Sequence, residues 1–438
     1  MCPGNLTLKH KKNYTKTNIT MENETDLKVQ RTVIKVSIVA VITLLLIIPL
    51  SMIKGVIWDR EDTKDAVTIE VANSYAGHQT VFPPYLVSNM ENGMVEYNNP
   101  LDPNVKKTHT GKYEFYFQQV GYKADVETEM LHRSIYDVIV YNSKIQISGK
   151  MPVHEISVIA NSNEFRFKVS DTKGFNNPSQ LLFGGKSFDI DRRDGEFVAN
   201  VAFPDSVKAG DSVDFSITFD LKGTQSIFFI PSKYGNTSLA INSSYPHPSF
   251  QGTLLPDYRN VQDDGFEAKW DVSSLNCSNS DEMGVRFVDP ANPYQQSMRS
   301  AKYGILIIIL VFVAGLVVEF LTKKEINPVQ YAVIGLSLVL FYSLLLSFSE
   351  FMMFGVAYII AALMTTGALV FYFRAILKSR SAYMLGGFVA LVYMLNYMLL
   401  QMETYALLAG SLVLFLLLCV VMYLTADMSK NKELPKAE

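Results

Sequence analysis

The stretch "LLLSFSEFMMFGVAYIIAAL", Leu344–Leu363, decides how the C-terminal third of the chain is arranged. A single carboxylate, Glu350, interrupts a segment that is otherwise apolar enough for lipid. One apolar run ends near Phe348 and the next begins near Phe354, and each has about the 20 residues that a helix needs to cross a bilayer. We therefore place Glu350 in a tight turn between two membrane helices, at the membrane surface.

The same length rule, applied to all 438 residues, predicts six transmembrane helices. The chain is 49% hydrophobic and only 18% charged, and the apolar residues are concentrated in one N-terminal run and after Tyr303. The N-terminal run is too long for the core of a signal peptide and lacks a small-residue cleavage site, which indicates an uncleaved anchor. The six predicted spans are Val36–Ile53, Tyr303–Leu321, Val329–Phe348, Phe354–Phe373, Ala382–Leu400 and Tyr405–Thr425.

Lysine and arginine in the short connections predict the topology. They occur in the N-terminal tail, in the connections after the second and fourth spans, and in the C-terminal tail. The turns around Glu350 and Glu403 contain neither residue. Because basic loops stay in the cytoplasm, both termini are predicted to be cytoplasmic, and the long segment between the first two spans is predicted to be periplasmic.

That long segment is predicted to be rich in β-strands. In "DFSITFD", Asp214–Asp220, apolar Phe215, Ile217 and Phe219 alternate with polar residues, which is typical of a half-buried strand. Turn signals separate many such short runs, and no amphipathic helix is evident among them. The predicted fold class is therefore an integral membrane α-helical bundle of six transmembrane helices plus an all-β, sandwich-like extracytoplasmic domain, in one or two modules.

Five segments follow from these predictions. They are a polar, disordered cytoplasmic tail at 1–32, a transmembrane signal anchor at 33–53, a β-rich periplasmic domain at 54–302, a five-helix transmembrane bundle at 303–425, and a cytoplasmic tail at 426–438.

Few residues indicate catalytic or cofactor chemistry. "GGKS", Gly184–Ser187, resembles the end of a phosphate-binding loop, but that pattern requires a glycine where Gln180 stands. The six histidines are not at metal-ligand spacing, and no G-x-S-x-G motif of a hydrolase occurs. The net charge of −3 provides no basic field for nucleic acid. No catalytic residue, metal or cofactor is predicted, although a metal site assembled from distant parts of the chain stays open.

One acidic residue near the cytoplasmic end of its span has an obvious partner. Lys323 follows Glu319 by four residues, which is the favourable order for an ion pair on a helix. An ionised group at mid-bilayer depth costs about 2.5–3.5 kcal/mol on insertion scales. We therefore predict an interfacial Glu319–Lys323 ion pair, with a functional role for Glu319 as the alternative.

The two predicted outward turns each carry an acid. Glu350 lies in the first turn, and Glu403 lies in the second with Gln401 beside it. These residues are either solvated turn residues or contacts to the ectodomain or to a partner. An intramembrane proton relay is a third possibility, but Asn396 and Gln401 are too few polar residues to build one.

Several long stretches resemble the CreD family of bacterial inner-membrane, cell envelope integrity proteins. They include "PHPSFQGTLLPDYRNVQDDGFEAKWDVSSLN" at Pro246–Asn276, "GVRFVDPANPYQQSMRSAKYGIL" at Gly284–Leu306 and "NPVQYAVIGLSLVLFYSLLLSFSE" at Asn327–Glu350. The chain departs from the family at Ser74–Thr80, "SYAGHQT", where the family often has Trp-Gly before its Q-T segment.

The resemblance implies a protein of the bacterial inner membrane that takes part in envelope stress, and it supplies no catalytic residues. We expect non-enzymatic support of envelope integrity, in which the periplasmic domain binds an envelope component or protein while the lipid bilayer holds the helices. Two other classes stay open. A transporter or channel would need polar residues inside the bundle, and a periplasmic enzyme would need a cluster of acids or histidines in one cleft.

Overall fold

The computed structural model of the chain describes most of the region from the first span to the end of the fifth. The described residues are 30, 33–94, 108–154, 160, 162–278, 280–290, 292–322, 324–378, 380–401, 408, 410–412, 415, 419 and 422. They form two compact units. The helical unit comprises Met1–Asp62 and Ala291–Glu438, and the β unit comprises Thr63–Pro290.

Six helices are defined among the described residues, and four of them are long and apolar enough to cross a membrane. A fifth span results if α2 and α3, which are bent by 43° at a short break, are counted together. The predicted sixth span, Tyr405–Thr425, lies mostly outside the described residues. The helices are α1 Val33–Ser74, α2 Pro293–Lys302, α3 Gly304–Thr322, α4 Pro328–Ser349, α5 Phe354–Leu377 and α6 Ser381–Gln401.

Helix α1 is longer than the predicted anchor, because it continues from the apolar run through Asp59–Val71 to Ser74. The predicted β-rich segment at 54–302 therefore begins with helix. The inward positions of this extension follow helical spacing, at 57, 61, 64, 68 and 71, but two of them are the charged residues Glu61 and Lys64. Because these two inward residues are charged, the hydrophobic residues of the segment do not recur at helical spacing, and the helix is not recognised from hydrophobicity.

Helix starts and close contacts explain how the helical unit is built. Asn327 and Gln330 form a capping box at the start of α4, with Pro328 in the first turn. A Cβ on Gly335 would lie 2.1 Å from Cδ1 of Leu46, so this glycine lets α1 approach α4 closely. Gly386 of α6 has the same role toward Val370 of α5, at 2.2 Å.

The β unit contains three sheets that share one core. Their strand orders are β1-β13-β18-β15, β10-β11-β6-β2-β3, and β16-β17-β14-β4-β5-β12-β8-β9, with β7 also paired to β12. A large β-sheet region was predicted correctly, although its three sheets differ from a simple two-sheet sandwich. The strands are β1 Gln79–Val81, β2 Tyr85–Met94, β3 Thr108–Tyr116, β4 Gln119–Arg133, β5 Tyr136–Pro152, β6 Ser162–Phe167, β7 Phe175–Asn176, β8 Leu181–Phe183, β9 Lys186–Phe188, β10 Asp191–Arg193, β11 Glu196–Val201, β12 Ser212–Thr224, β13 Ser226–Phe229, β14 Asn236–Ser243, β15 Pro248–Gly252, β16 Tyr258–Gln262, β17 Gly265–Val272 and β18 Met283–Phe287.

The core of the β unit is strongly aromatic. Phe215, Ile217 and Phe219 of β12 all face inward and are buried, as their alternation predicts. They pack with phenylalanines from other strands, including a Phe165–Phe215 contact with 5.3 Å between ring centroids. This burial makes the β unit a self-sufficient core without a described disulfide.

Candidate functional site

Glu350 lies in the turn between α4 and α5, at the C-cap of α4. Its side chain is only 9% exposed, so it is not the fully solvated turn residue that one of the three hypotheses expected. Oε1 of Glu350 lies 3.5 Å from Nε of Arg60 on α1. Because Oε1 accepts no hydrogen bond within the described part of the chain, this ion pair is the main compensation for the buried charge.

Glu319 lies near the end of α3 and has two partners. The ammonium group of Lys35, on α1, forms an ion pair with Oε1, and the hydroxyl of Tyr331 donates to Oε2 at 3.3 Å. Lys323 lies outside the described residues, so the predicted Glu319–Lys323 pair stays a prediction. The partners that the structure does describe come from α1 and α4 rather than from the next turn of the same helix.

The two contacts fix α1 at both ends of the helical unit. Arg60 follows Lys35 by 25 residues on one continuous helix, which corresponds to about 37 Å at helical rise. The hydrocarbon core of a bilayer is about 30 Å thick, and about 40–45 Å with its headgroups. The spacing therefore fits two ion pairs at opposite membrane surfaces.

The remaining candidates, at the turn predicted after α6, are only partly described. Gln401 ends α6 and is exposed. Glu403 lies outside the described residues. Between Gln401 and Glu350 there is no hydrogen bond in the described part of the helical unit.

A buried polar cluster within the helical unit was not predicted. Asn396 of α6 donates from Nδ2 to the hydroxyl of Tyr358 at 2.9 Å and to Oγ of Ser300 at 3.2 Å. The Tyr358 hydroxyl in turn donates to the carbonyl oxygen of Tyr393 at 2.8 Å. These bonds join α2, α5 and α6 through side chains that are almost completely buried.

Aromatic rings surround this network. Phe341 of α4 contacts the rings of Tyr342, Tyr358 and Tyr393, with centroid distances of 5.0, 5.2 and 4.3 Å. The partners of Asn396 are 38 and 96 positions away in the chain, so the sequence around Asn396 gives no sign of them. Only Ser297 and Ser300, three residues apart on a short helix, gave a local signal of a polar face.

The β unit has an exposed sheet edge. Strand β16 is the terminal strand of the largest described sheet, and all five of its residues are exposed. The apolar side chains of Tyr258 and Val261 are 48% and 47% exposed, and that of the preceding Leu255 is 65% exposed. A terminal strand with exposed apolar residues is a template for pairing with another extended segment.

The chain leading into β16 is held firmly. Nε1 of the buried Trp270 donates to the carbonyl of Leu254 at 3.1 Å, and the backbone N–H of Asp271 donates to Oδ2 of Asp257 at 2.7 Å. A shallow pocket of about 290 Å³ beside this segment is lined by Tyr122, Leu239, Asp257, Lys269 and Trp270, among others. The edge is therefore presented by a fixed support rather than by a loose loop.

Charged residues in the five-stranded sheet form a satisfied network. Arg166 contacts Glu164 at 2.6 Å and Glu196 at 3.2 Å, and the hydroxyl of Tyr85 donates to Glu196 at 2.9 Å. Partial burial and the hydrogen bond to Glu196 raise the pKa of Tyr85 to about 12. Because each charge has a partner, the network has a structural role.

The acidic, histidine and cysteine side chains are the possible metal ligands of the chain. Within the described ranges, no three His, Cys, Asp or Glu side chains come together as a group that would hold a metal ion.

Comparisons with known proteins identify the family. The model of the family described as "Inner membrane protein CreD" matches residues 31–429. The curated protein "Inner membrane protein CreD" of Escherichia coli (strain K12) is 28% identical over 414 residues, which cover 88% of this chain and 90% of the relative.

Solved structures resemble only parts of the chain. An M1 zinc metallopeptidase from Deinococcus radiodurans is 7% identical, with 39% of this chain and 41% of that chain covered and a TM-score of 0.23. A putative nutrient binding protein from Legionella pneumophila is 9% identical, with 52% and 84% covered and a TM-score of 0.28. These scores are too low to support an argument about fold or activity. The match over nearly the whole chain is decisive, and the chain belongs to the CreD family of inner membrane proteins.

Proposed function

We propose that this inner-membrane protein supports the integrity of the cell envelope without catalysis, by binding an envelope protein through the β16 edge of its β unit. In this proposal the β unit is periplasmic, both termini are cytoplasmic and the helices serve as the membrane anchor. The exposed edge strand with its apolar side chains is the observation that carries the proposal.

Two observations support the topology in this proposal. Lysine and arginine occur in every connection assigned to the cytoplasm and are absent from the turn at Glu350. The Lys35–Glu319 and Arg60–Glu350 pairs, about 37 Å apart along α1, fit opposite membrane surfaces. A phosphatase reporter inserted after Gly210 tests the orientation, because it is active only if the β unit reaches the periplasm.

The chemistry of the edge favours an extended peptide segment as partner. The backbone N–H and C=O groups on the open side of β16 are complementary to those of another strand. Tyr258 and Val261 add apolar contact area for alternate side chains of such a segment.

The test is photo-crosslinking in living bacteria that produce the full-length protein. A photoreactive phenylalanine analogue replaces Val261 in one variant, and Leu182 in the control. Leu182 is 50% exposed but lies in β8, inside its sheet. The proposal requires a discrete crosslinked protein at position 261 that is absent at 182. Equal crosslinking at both positions, or none at 261, refutes it.

A second measurement addresses envelope integrity itself. Deletion of the gene is expected to increase detergent sensitivity, and the wild-type protein is expected to restore resistance. A protein whose β16 carries Tyr258→Lys and Val261→Lys should fail to restore it, although it is inserted and folded. Full restoration of detergent resistance by this variant would show that the β16 edge is not needed for envelope integrity.

A transporter or channel built on the helices is a second candidate function. It is favoured by one observation, the polar network of Asn396, Tyr358 and Ser300 inside the helical unit. Flux of labelled polar solutes into proteoliposomes tests it, with Glu350→Gln and Glu403→Gln as variants. Flux no greater than in protein-free vesicles argues against this candidate.

A further inference from the structure

Three buried polar side chains of the helical unit lie at one level near one end of the helices. Tyr342 is seven residues before the end of α4, Tyr358 is four residues after the start of α5, and Asn396 is five residues before the end of α6. At helical rise these positions are roughly 6–10 Å from the helix ends. They are at the same end of the unit as the Glu350 turn, since α4 ends and α5 begins there.

Four polar atoms on the helices that contact one another here have no hydrogen-bond partner within the described residues. They are the hydroxyl oxygens of Ser297, Tyr342 and Tyr393 and Oδ1 of Asn396. Each of the four side chains is at most 3% exposed. A buried polar group without a partner costs about 1–3 kcal/mol, so four in one region require an explanation.

Helix α2 covers this level. Its residues Ser297 and Ser300 are buried, and Ser300 accepts the hydrogen bond from Asn396. Its opposite side carries exposed Gln295, Arg299 and Lys302. Helix α2 is bent by 43° from α3, and its serines face a polar interior. In membrane proteins, such broken helices occur where the backbone is buried in protein or lines a water-filled cavity.

We propose that the region between α2, α4, α5 and α6 is a hydration site, in which water binds to Ser297, Tyr342, Tyr393 and Asn396. The four groups supply three hydroxyl donors and one amide acceptor, all uncharged, which suits water. A buried water typically makes about three hydrogen bonds to groups that have no other partner. This inference is independent of the binding function proposed for the β unit.

The first test is hydroxyl-radical footprinting of the full-length protein in nanodiscs by brief X-ray exposure. Radicals form from water, so a buried side chain is oxidised only if water lies next to it. Tyr342 and Tyr393 are expected to be oxidised several-fold more than Tyr331. Tyr331 is the matched control, because it is equally buried but its hydroxyl already donates to Glu319. Equal, low oxidation of all three tyrosines overturns the proposal.

The second test uses the sign of a stability change. If the hydroxyls of Tyr342 and Tyr393 bind water, Tyr342→Phe and Tyr393→Phe lower the Tm, because a hydrogen bond is lost. If the site is dry, removal of an unpartnered hydroxyl raises the Tm or leaves it unchanged, and that result overturns the proposal. Tyr358→Phe is the reference for a lost bond, since this hydroxyl donates to Tyr393.

Discussion

Arg60 and Glu350 form an ion pair that ties the first helix to the turn between α4 and α5, with 3.5 Å between Nε and Oε1. The carboxylate is nearly buried, whereas the guanidinium is 47% exposed. Removal of the arginine therefore leaves a buried carboxylate, whereas removal of the glutamate leaves a half-exposed guanidinium.

This asymmetry predicts unequal effects of two neutral substitutions. Arg60→Gln leaves a buried carboxylate without its cation and is expected to destabilise the protein by about 2 kcal/mol, below the range for fully buried pairs because Arg60 is half exposed. Glu350→Gln is expected to cost less, about 1 kcal/mol. Thermal unfolding in detergent measures both.

The double variant completes the cycle. Arg60→Gln with Glu350→Gln should cost less than the sum of the single changes. The exposed pair of Arg133 and Glu70, with side chains 50% and 57% exposed, is the control and should show almost no coupling. Additive effects at Arg60 and Glu350 would mean that the pair contributes nothing.

Glu319 offers a choice between two partners, one predicted from sequence and one seen in the structure. If Lys35 is the partner, a cycle of Glu319→Gln with Lys35→Gln gives a coupling energy of about 1 kcal/mol, and a cycle with Lys323→Gln gives almost none. The reverse result would show that Glu319 pairs with Lys323, as the sequence predicts, and not with Lys35.

Gly149, near the C-terminal end of β5, tests the tight packing of the largest described sheet. A Cβ at this position would lie 2.0 Å from the carbonyl oxygen of Gln119, and backbone does not move aside easily. Gly149→Ala is expected to destabilise the protein by about 3 kcal/mol, within the range for overpacking. Urea unfolding followed by tryptophan fluorescence reports the change.

The matched control for that substitution is Gly111→Ala. Gly111 also lies in a strand, but the nearest atom to its added Cβ, in Tyr113, is 3.9 Å away. The control should be within about 1 kcal/mol of the wild type, which is the usual range for unstrained surface changes. Similar losses at both positions would contradict the close approach of β4 and β5.

Asp171 makes the stability of the β unit depend on pH. Partial burial alone would raise the pKa of Asp171, but hydrogen bonds from the backbone N–H groups of Gly77 and Lys173 outweigh it, and the pKa is lowered from 3.8. The aspartate therefore adds stability above about pH 4, and this is lost as the pH falls through the lower folded-state pKa.

The expected result is a steeper loss of Tm below pH 4 in the wild type than in Asp171→Asn. The amide cannot gain a proton there, so its curve should be flatter. The structural contact is the bond from Gly77 N to Oδ2, at 3.0 Å. Parallel curves for the two proteins would show that Asp171 is not responsible.

Local sequence patterns predicted those elements in which buried, apolar residues recur at the regular spacing of a strand or a helix. The alternation around Phe215, Ile217 and Phe219 gave a strand and its inward face, because each inward residue is apolar. The turn at Glu350 followed from the length of two apolar runs. Both features depend only on residues that are neighbours in the chain.

Other features depend on residues that are far apart in the chain or on charged residues at buried positions. The extension of α1 was missed because Glu61 and Lys64 occupy its inward stripe. The contact of Asn396 with Ser300 joins positions 96 residues apart, and pairing of that kind is set by helix packing. The partner of Glu319 on α1 was hidden for the same reason.

The two ion pairs of α1, at Lys35 and Arg60, predict that the stability of the protein depends on bilayer thickness. A thicker bilayer would draw one of the two ion pairs into hydrocarbon, where its charges lose hydration, and a thinner one would expose apolar side chains beyond the lipid. Stability should therefore be greatest in lipids of one acyl chain length and should fall on either side of it. The acyl chain length of greatest stability is then expected to correspond to a hydrocarbon thickness that leaves both ion pairs at the membrane surfaces.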